Sequence, residues 1–179
     1  MEQPEVPLEA VQEHIDHHAA HSPEKWNSWV ALTTAILAAL AAITSLLAGD
    51  HANEAMLNQI QSSSQWSYFQ SKGIKAEAVK TRLEIGKLLG QPVDPRDEEQ
   101  KNRYAEEQKE IKKTAEEKQE NSEFHLRHHV ILARGVTMFQ IAIAIAAIAI
   151  LTKRRSFWIF SMALGAIGSI SLLHGILSH

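Results

Sequence analysis

The chain has no cysteine, which excludes disulfides, thiolate metal sites and cysteine nucleophiles together. A strong charge of either sign is also missing. The 18 basic and 21 acidic residues leave a formal net charge of −3, too small to imply nucleic acid or an acidic substrate as partner. Five prolines and eight glycines are few for 179 residues, so long unbroken helices are permitted. GxSxG, HExxH and P-loop patterns do not occur, and no other catalytic constellation stands out. An enzyme is not expected, and neither a cofactor nor a small-molecule substrate is evident.

What is present is a division between very apolar and very polar blocks. Residues 29–48, 130–151 and 157–177 are long apolar stretches, each close to the ~20 residues that cross a bilayer as helix. The 28 residues ahead of the first block are acidic and His-rich. A secretory signal would open with a short basic region, so an uncleaved anchor is expected instead. Within the second block, IAIAIAAIAI from Ile141 to Ile150 alternates with period two, a strand signal in water. In lipid a lone strand leaves its backbone groups unpaired, so helix is expected. The fold class predicted is all-α: three transmembrane helices with a long extramembrane helical hairpin, coiled-coil-like, between the first and second.

The hairpin is expected over 49–129, with arms at 52–89 and 95–129. Gly90, Pro92 and Pro95 interrupt the helix pattern, and Asp94 is placed to cap a second helix starting at Pro95. Gly49-Asp50 is expected to end the first span at the membrane surface. On the first arm, Trp66, Phe69, Gly73, Ala76, Val79 and Leu83 form one stripe; Ile74, Ala78, Ile85 and Leu89 form a second. The returning arm offers Tyr104, Ile111, Ala115 and Phe124 and is otherwise polar. It is expected to lean on local pairs such as Asp97–Lys101 and Glu99–Arg103. One polar arm cannot cover two apolar stripes, and the surplus points to a homo-oligomer.

Close helix packing within the bilayer is expected from Ala31, Ala35, Ala38, Ala39 and Ala42 in the first span. In the third it is expected from Ser161, Gly165 and Ser169, with Gly168 beside them. Lys153, Arg154 and Arg155 form the densest basic cluster of any short loop. That turn is therefore expected in the cytoplasm, with the N-terminus, leaving the hairpin and C-terminus in the periplasm. Trp26, Trp29, Phe157 and Trp158 would then share one interfacial belt.

Histidine is the chemically suggestive residue type. His14, His17, His18 and His21 form i,i+4 pairs on a helix, a spacing that brings two imidazoles to one metal ion. Residues 1–28 are expected to be a polar segment with a short amphipathic helix, either metal-binding or solvated and pH-sensitive. His125, His128 and His129 repeat the pattern where the second arm nears the membrane, and His174 lies within the third span.

The run QWSYFQSKGIKAEAVK, from Gln65 to Lys80, follows ANEAMLNQIQSSS. With the three-span layout it resembles a bacterial membrane protein family known as domain of unknown function 4337. Trp66, Tyr68, Gln70, Lys72 and Lys75 match that family's run, and Phe69 stands where a second tyrosine is expected. The resemblance implies a bacterial inner membrane and carries no activity or catalytic residue. From the residues alone, Trp66, Phe69 and Gly73 fall on the packing face, while Gln70, Lys72 and Lys75 are expected to turn away from much of it. Lipid bilayer and further copies of the chain are the expected partners. Three functions remain open: a structural or scaffolding membrane oligomer, a small channel or transport subunit, and a metal or pH sensor.

Overall fold

The computed structural model describes residues 25–90, 92 and 94–177. They form three helices, α1 (Lys25–Leu88), α2 (Pro95–Thr152) and α3 (Arg155–Leu177), with no strand among the described residues. All three are long and apolar enough to cross a membrane. The period-two run in α2 is helical; there Ala142, Ile143, Ala146 and Ala149 are buried while Ile141 and Ile148 stay exposed.

α1 does not stop at Gly49-Asp50 but continues through all 64 of its residues. A helix interior tolerates one glycine at a cost of about 1 kcal/mol relative to alanine, and Leu46, Leu47 and Ala48 before it and Glu54, Ala55, Met56 and Leu57 after it favour helix. The helix ends at a left-handed residue, Gly90, with φ +66°. Its N–H donates to the Lys87 carbonyl at 3.2 Å, and Leu89 N–H donates to Ile85 at 3.0 Å, so orphan carbonyls of the last turn are closed. α2 opens on Asp94, whose Oδ1 accepts the Arg96 backbone N–H at 2.9 Å, with Pro95 at the first helical position. The turn from α2 to α3 is only Lys153-Arg154, with Lys153 itself at φ +54°.

The contacts divide the described residues into two compact units, one holding those up to His51 and from Arg127 onward, the other those between Ala52 and Leu126. In the first unit, α1 buries Asn27, Val30, Thr34, Leu37, Ala41, Thr44 and Ala48. Those steps alternate three and four, the 3.5-residue period of close helix pairs. The expected alanine face is corrected: Ala39 and Ala42 are exposed and Ala31, Ala35 and Ala38 only partly covered. Threonine shares the true face with Ala41 and Ala48 because its hydroxyl is satisfied within its own helix. Thr34 donates to the Val30 carbonyl at 2.7 Å and Thr44 to Leu40 at 2.6 Å.

The α3 face is Ser161, Gly165, Gly168, Leu172 and Gly175. A Cβ added at Gly165 would lie 2.5 Å from Leu37 Cδ2, and one at Gly168 would lie 3.0 Å from the Phe139 ring and 3.2 Å from the Gly135 carbonyl. Small residues thus let three backbones approach, as packing in an apolar medium requires. Ser161 donates to the Ala142 carbonyl at 2.7 Å, whereas Ser169 turns back to Gly165 of its own helix. Trp158 Nε1 donates to Thr33 Oγ1 at 3.1 Å, bringing the aromatic start of α3 to the aromatic start of α1.

In the second unit the arms of α1 and α2 run antiparallel, since Ala55 meets Ser122, Ser62 meets Ala115, and Lys72 meets Glu107. The seam buries Ala55, Asn58, Ser62 and Val79 against Tyr104, Ile111, Ala115 and Ser122.

Candidate functional site

The arm seam is built from small and polar side chains that reach the opposite backbone. Ser122 Oγ donates to the Ala55 carbonyl at 2.8 Å, and Ser62 Oγ to Ala115 at 3.0 Å. Gln108 Nε2 reaches the Phe69 carbonyl at 3.4 Å. Within the first unit, His129 Nδ1 sits 2.8 Å from the Ala48 carbonyl; a carbonyl only accepts, so the ring proton lies on Nδ1. On each helix these bonds recur every seven residues: 48, 55, 62 and 69 on α1, 129, 122, 115 and 108 on α2. A seven-residue repeat keeps one face of each helix against its neighbour. Because each bond ties a side chain to a backbone atom of the other helix, the helices must lie close. Ala48, Ala55, Ser62, Ala115 and Ser122 leave room for that approach, and Gly73 has Gln108 Nε2 only 2.8 Å from where its Cβ would be.

Farther along the second unit lies a charged clamp. Lys72 Nζ pairs with Glu107 at 2.5 Å and stands 5.3 Å from the centroids of both the Tyr68 and Tyr104 rings. Its side chain keeps only 14% of its exposure. Arg103 pairs with the other Glu107 oxygen at 3.4 Å and stands 5.7 Å from the Tyr104 ring. Two ring faces offer negative quadrupole to one ammonium. The hydrogen bond from Lys72 holds the Glu107 carboxyl below its ordinary range, and the same bond raises the Lys72 ammonium above its own.

The family-like run thus has a mechanical reading, and one expectation is corrected. Lys72 does not turn away from the packing face: it follows Gln65 and Phe69 on the seam, its alkyl stem covered and its charge delivered to Glu107. Lys75 and Gln70 are exposed. Trp66 and Phe69 meet edge to face at 5.6 Å, and Tyr68, half exposed, lends its ring to Lys72. The second stripe, Ile74, Ala78, Ile85 and Leu89, is exposed. Asp97 pairs across the arms with Arg82 rather than with Lys101, and Arg103 takes Glu107 rather than Glu99. Asp97 goes to the other arm because the closeness of the seam brings Arg82 within reach, whereas Arg103–Glu107 is an i,i+4 pair within α2 that joins Arg103 to the clamp.

Also in the first unit, the His51 and His128 rings stack at 5.2 Å and 28°, with His128 buried. His125 meets Phe124 edge to face at 5.4 Å, and His174 is exposed on α3. The described residues hold no group of three or more His, Asp or Glu able to bind a metal. His14, His17, His18 and His21 lie outside the described residues. Sequence reasoning missed His51, Asn58, Ser62, Gln108 and Ser122. The signal that would have found them is the seven-residue recurrence of small and polar residues on both arms, which hydropathy does not register.

These features define a class: an all-helical protein with three helices able to span a membrane and a close antiparallel helix pair between the first two apolar stretches. Residues 26–178 match the model of the domain of unknown function DUF4337, and the chain belongs to that family. No curated protein and no solved structure matches it.

Proposed function

We infer that this is an integral membrane protein with a structural role, in which three spans anchor a stiff helical hairpin outside the bilayer as a scaffold. The observation that carries the reading is continuity. α1 and α2 each pass from an apolar span into a polar arm as one unbroken helix, and the arms are tied by bonds to backbone atoms rather than by mobile surface pairs alone. A side chain bonded to a backbone carbonyl fixes distance and register, as a spacing element needs.

The orientation favoured places the Lys153-Arg154-Arg155 turn and the N-terminus in the cytoplasm, with the hairpin and C-terminus in the periplasm of a bacterial inner membrane. The channel reading lacks support of this kind: Thr34 and Thr44 spend their hydroxyls on their own helix, and the mid-span faces are Ala, Ile, Leu, Gly and Ser. The substitution Glu106→Cys tests the reading, since it introduces the chain's sole thiol. Labelling of intact cells by an impermeant maleimide is expected. Labelling only after lysis would reverse the orientation, and robust ion flux through liposomes would favour a channel.

A further inference from the structure

α1 carries a second seam that no part of this chain covers among the described residues. Ten positions from Leu57 to Leu88 (57, 60, 64, 67, 71, 74, 78, 81, 85 and 88) step by three and four without a break, and none is charged. Every one of the ten is exposed. This is the same 3.5-residue period as the seam against α2 but on the opposite side of the helix. A shallow groove lies along it, lined by Ala78, Thr81, Arg82, Ile85 and Gly86. The whole of α1 from 55 to 71 lacks a charged residue, whereas solvated helix faces are normally charged.

We propose that this face pairs with the same face of a second copy, parallel and in register. The proposal rests on the scaffold reading above in one respect: copies held in one membrane by the same three spans present α1 in the same direction. Charge flanking the seam selects the same arrangement independently. Glu77 and Glu84 border it on one side, Lys75 and Arg82 on the other. In a parallel pair, residues five apart across the interface meet, so Glu77 of one copy faces Arg82 of the second. An antiparallel pair covering the same seam would instead set Glu77 opposite Gln70 and Lys75 opposite Tyr68, with no ion pair between copies. Arg82 also pairs with its own Asp97, and its five donors serve both partners. The area is adequate too. Leu57, Ile60, Ile74, Ile85 and Leu88 are each at least half exposed, Ile74 at 73% and Leu88 at 87%. With the small residues between them they offer on the order of 800 Å² per copy, the share of a standard stable interface.

The absence of cysteine makes the test direct. Ser67→Cys and Ser71→Cys, each alone in the full-length protein in membranes, are to be oxidised and compared with Glu106→Cys on the exposed side of α2. Self-pairing places equivalent Cα atoms within disulfide range, so the first two should give linked dimers at least ten times faster than the third. Equal rates at all three would overturn the pairing. So would faster linking between a copy carrying Ile60→Cys and a separate copy carrying Ile85→Cys, which an antiparallel pair sets opposite each other. Ile74→Glu should lower the dimer fraction in detergent at least ten-fold with helix content unchanged; Glu77→Lys should lower it about two- to five-fold. An undiminished dimer in Ile74→Glu would refute the seam. The Glu106→Cys topology assay reports on the scaffold reading separately, because parallel pairing requires only that the copies share an orientation.

Discussion

Replacing Ala115 with leucine should open the arm pair, although it adds apolar volume to a buried site. Ala115 is 0% exposed, and its carbonyl accepts the Ser62 hydroxyl at 3.0 Å from the other arm. A leucine brings three further carbons to a place where the facing backbone is one side-chain bond away. Overpacking of a filled site costs about 1–3 kcal/mol, and separating the helices forfeits the Ser62 bond, worth about 1 kcal/mol. The sum, about 2–4 kcal/mol, corresponds to amide exchange roughly 30- to 1,000-fold faster in the arms. Hydrogen–deuterium exchange of the full-length protein in nanodiscs reads this directly over residues 52–126. Ala105→Leu, at an exposed position on the same helix, serves as control and should leave exchange within about 0.5 kcal/mol. If the seam were an ordinary hydrophobic contact with room to spare, the added methylenes would stabilise it by about 2 kcal/mol. Slower exchange in Ala115→Leu would therefore refute the close backbone approach on which the scaffold reading rests.

Ser62→Ala and Ser122→Ala should each weaken the arm pair by about 1 kcal/mol in the same exchange assay, and the double substitution should cost about the sum, since the two bonds share no atom. In the spans, Gly168→Ala should destabilise by about 1–3 kcal/mol, because the new Cβ meets the buried Phe139 ring at 3.0 Å and an immovable Gly135 carbonyl at 3.2 Å. Gly49→Ala, with nothing within 4 Å of its Cβ, should instead stabilise by about 0.5–1 kcal/mol; apparent melting temperature in one detergent compares the two. The clamp predicts a flat middle and two falling limbs with pH. The Glu107 carboxyl is depressed by Lys72, so its contribution is present above the ordinary carboxylate value and is lost as pH falls through the lowered one. The Lys72 ammonium is raised by Glu107, so its contribution is present below the ordinary lysine value and is lost as pH rises through the raised one. Exchange around Tyr68 and Tyr104 should follow that profile, and Lys72→Met should abolish the acid limb; a limb that persists in the variant would place the titration elsewhere.

The apolar blocks were legible because hydropathy responds to the quantity a bilayer selects. Leu37, Phe139 and Leu172 needed no structure to be placed within spans. The caps were legible for a similar reason: Asp94 before Pro95, and Gly90 after a helix-forming run, have local causes that nearby chemistry states in full. The faces were legible only in part: Ser161, Gly165 and Gly168 in α3 and Tyr104, Ile111 and Ala115 in α2 are buried as expected, but others were not. In the first span the alanines drew attention as packing residues, but in lipid a buried threonine bonded to its own helix packs as well as alanine, and Thr34 and Thr44 took the face. In the arms, Asn58, Ser62 and Ser122 read as solvated because burial of polar groups depends on a partner, and each partner is a backbone atom some 50 to 70 residues away or, for Asn58, its own Glu54 carbonyl. Lys72 misled for the same reason, since its buried stem and paired head are visible only once Glu107 and the two tyrosines are brought to it.

The two seams of α1 explain a division of labour between the arms. On the pairing proposed above, α1 is covered on one side by α2 and on the other by a second copy, which leaves little surface to solvate and fits the absence of charge from 55 to 71. α2 meets only α1 within the unit, and its sequence from Glu106 to Glu123 is mostly Glu, Lys and Gln. On that reading most of the arms' charge sits on the outer helices of the proposed pair, with the rest of it on α1 beyond residue 71. The resulting surface offers no apolar patch to an unrelated protein on the α2 side, while the uncharged α1 face rejects any partner that brings an unpaired charge to it. Under the proposed pairing, specificity for a like copy follows from composition: the partner best matched to a neutral 3.5-residue stripe flanked by Glu77 and Arg82 is the same stripe in the same direction.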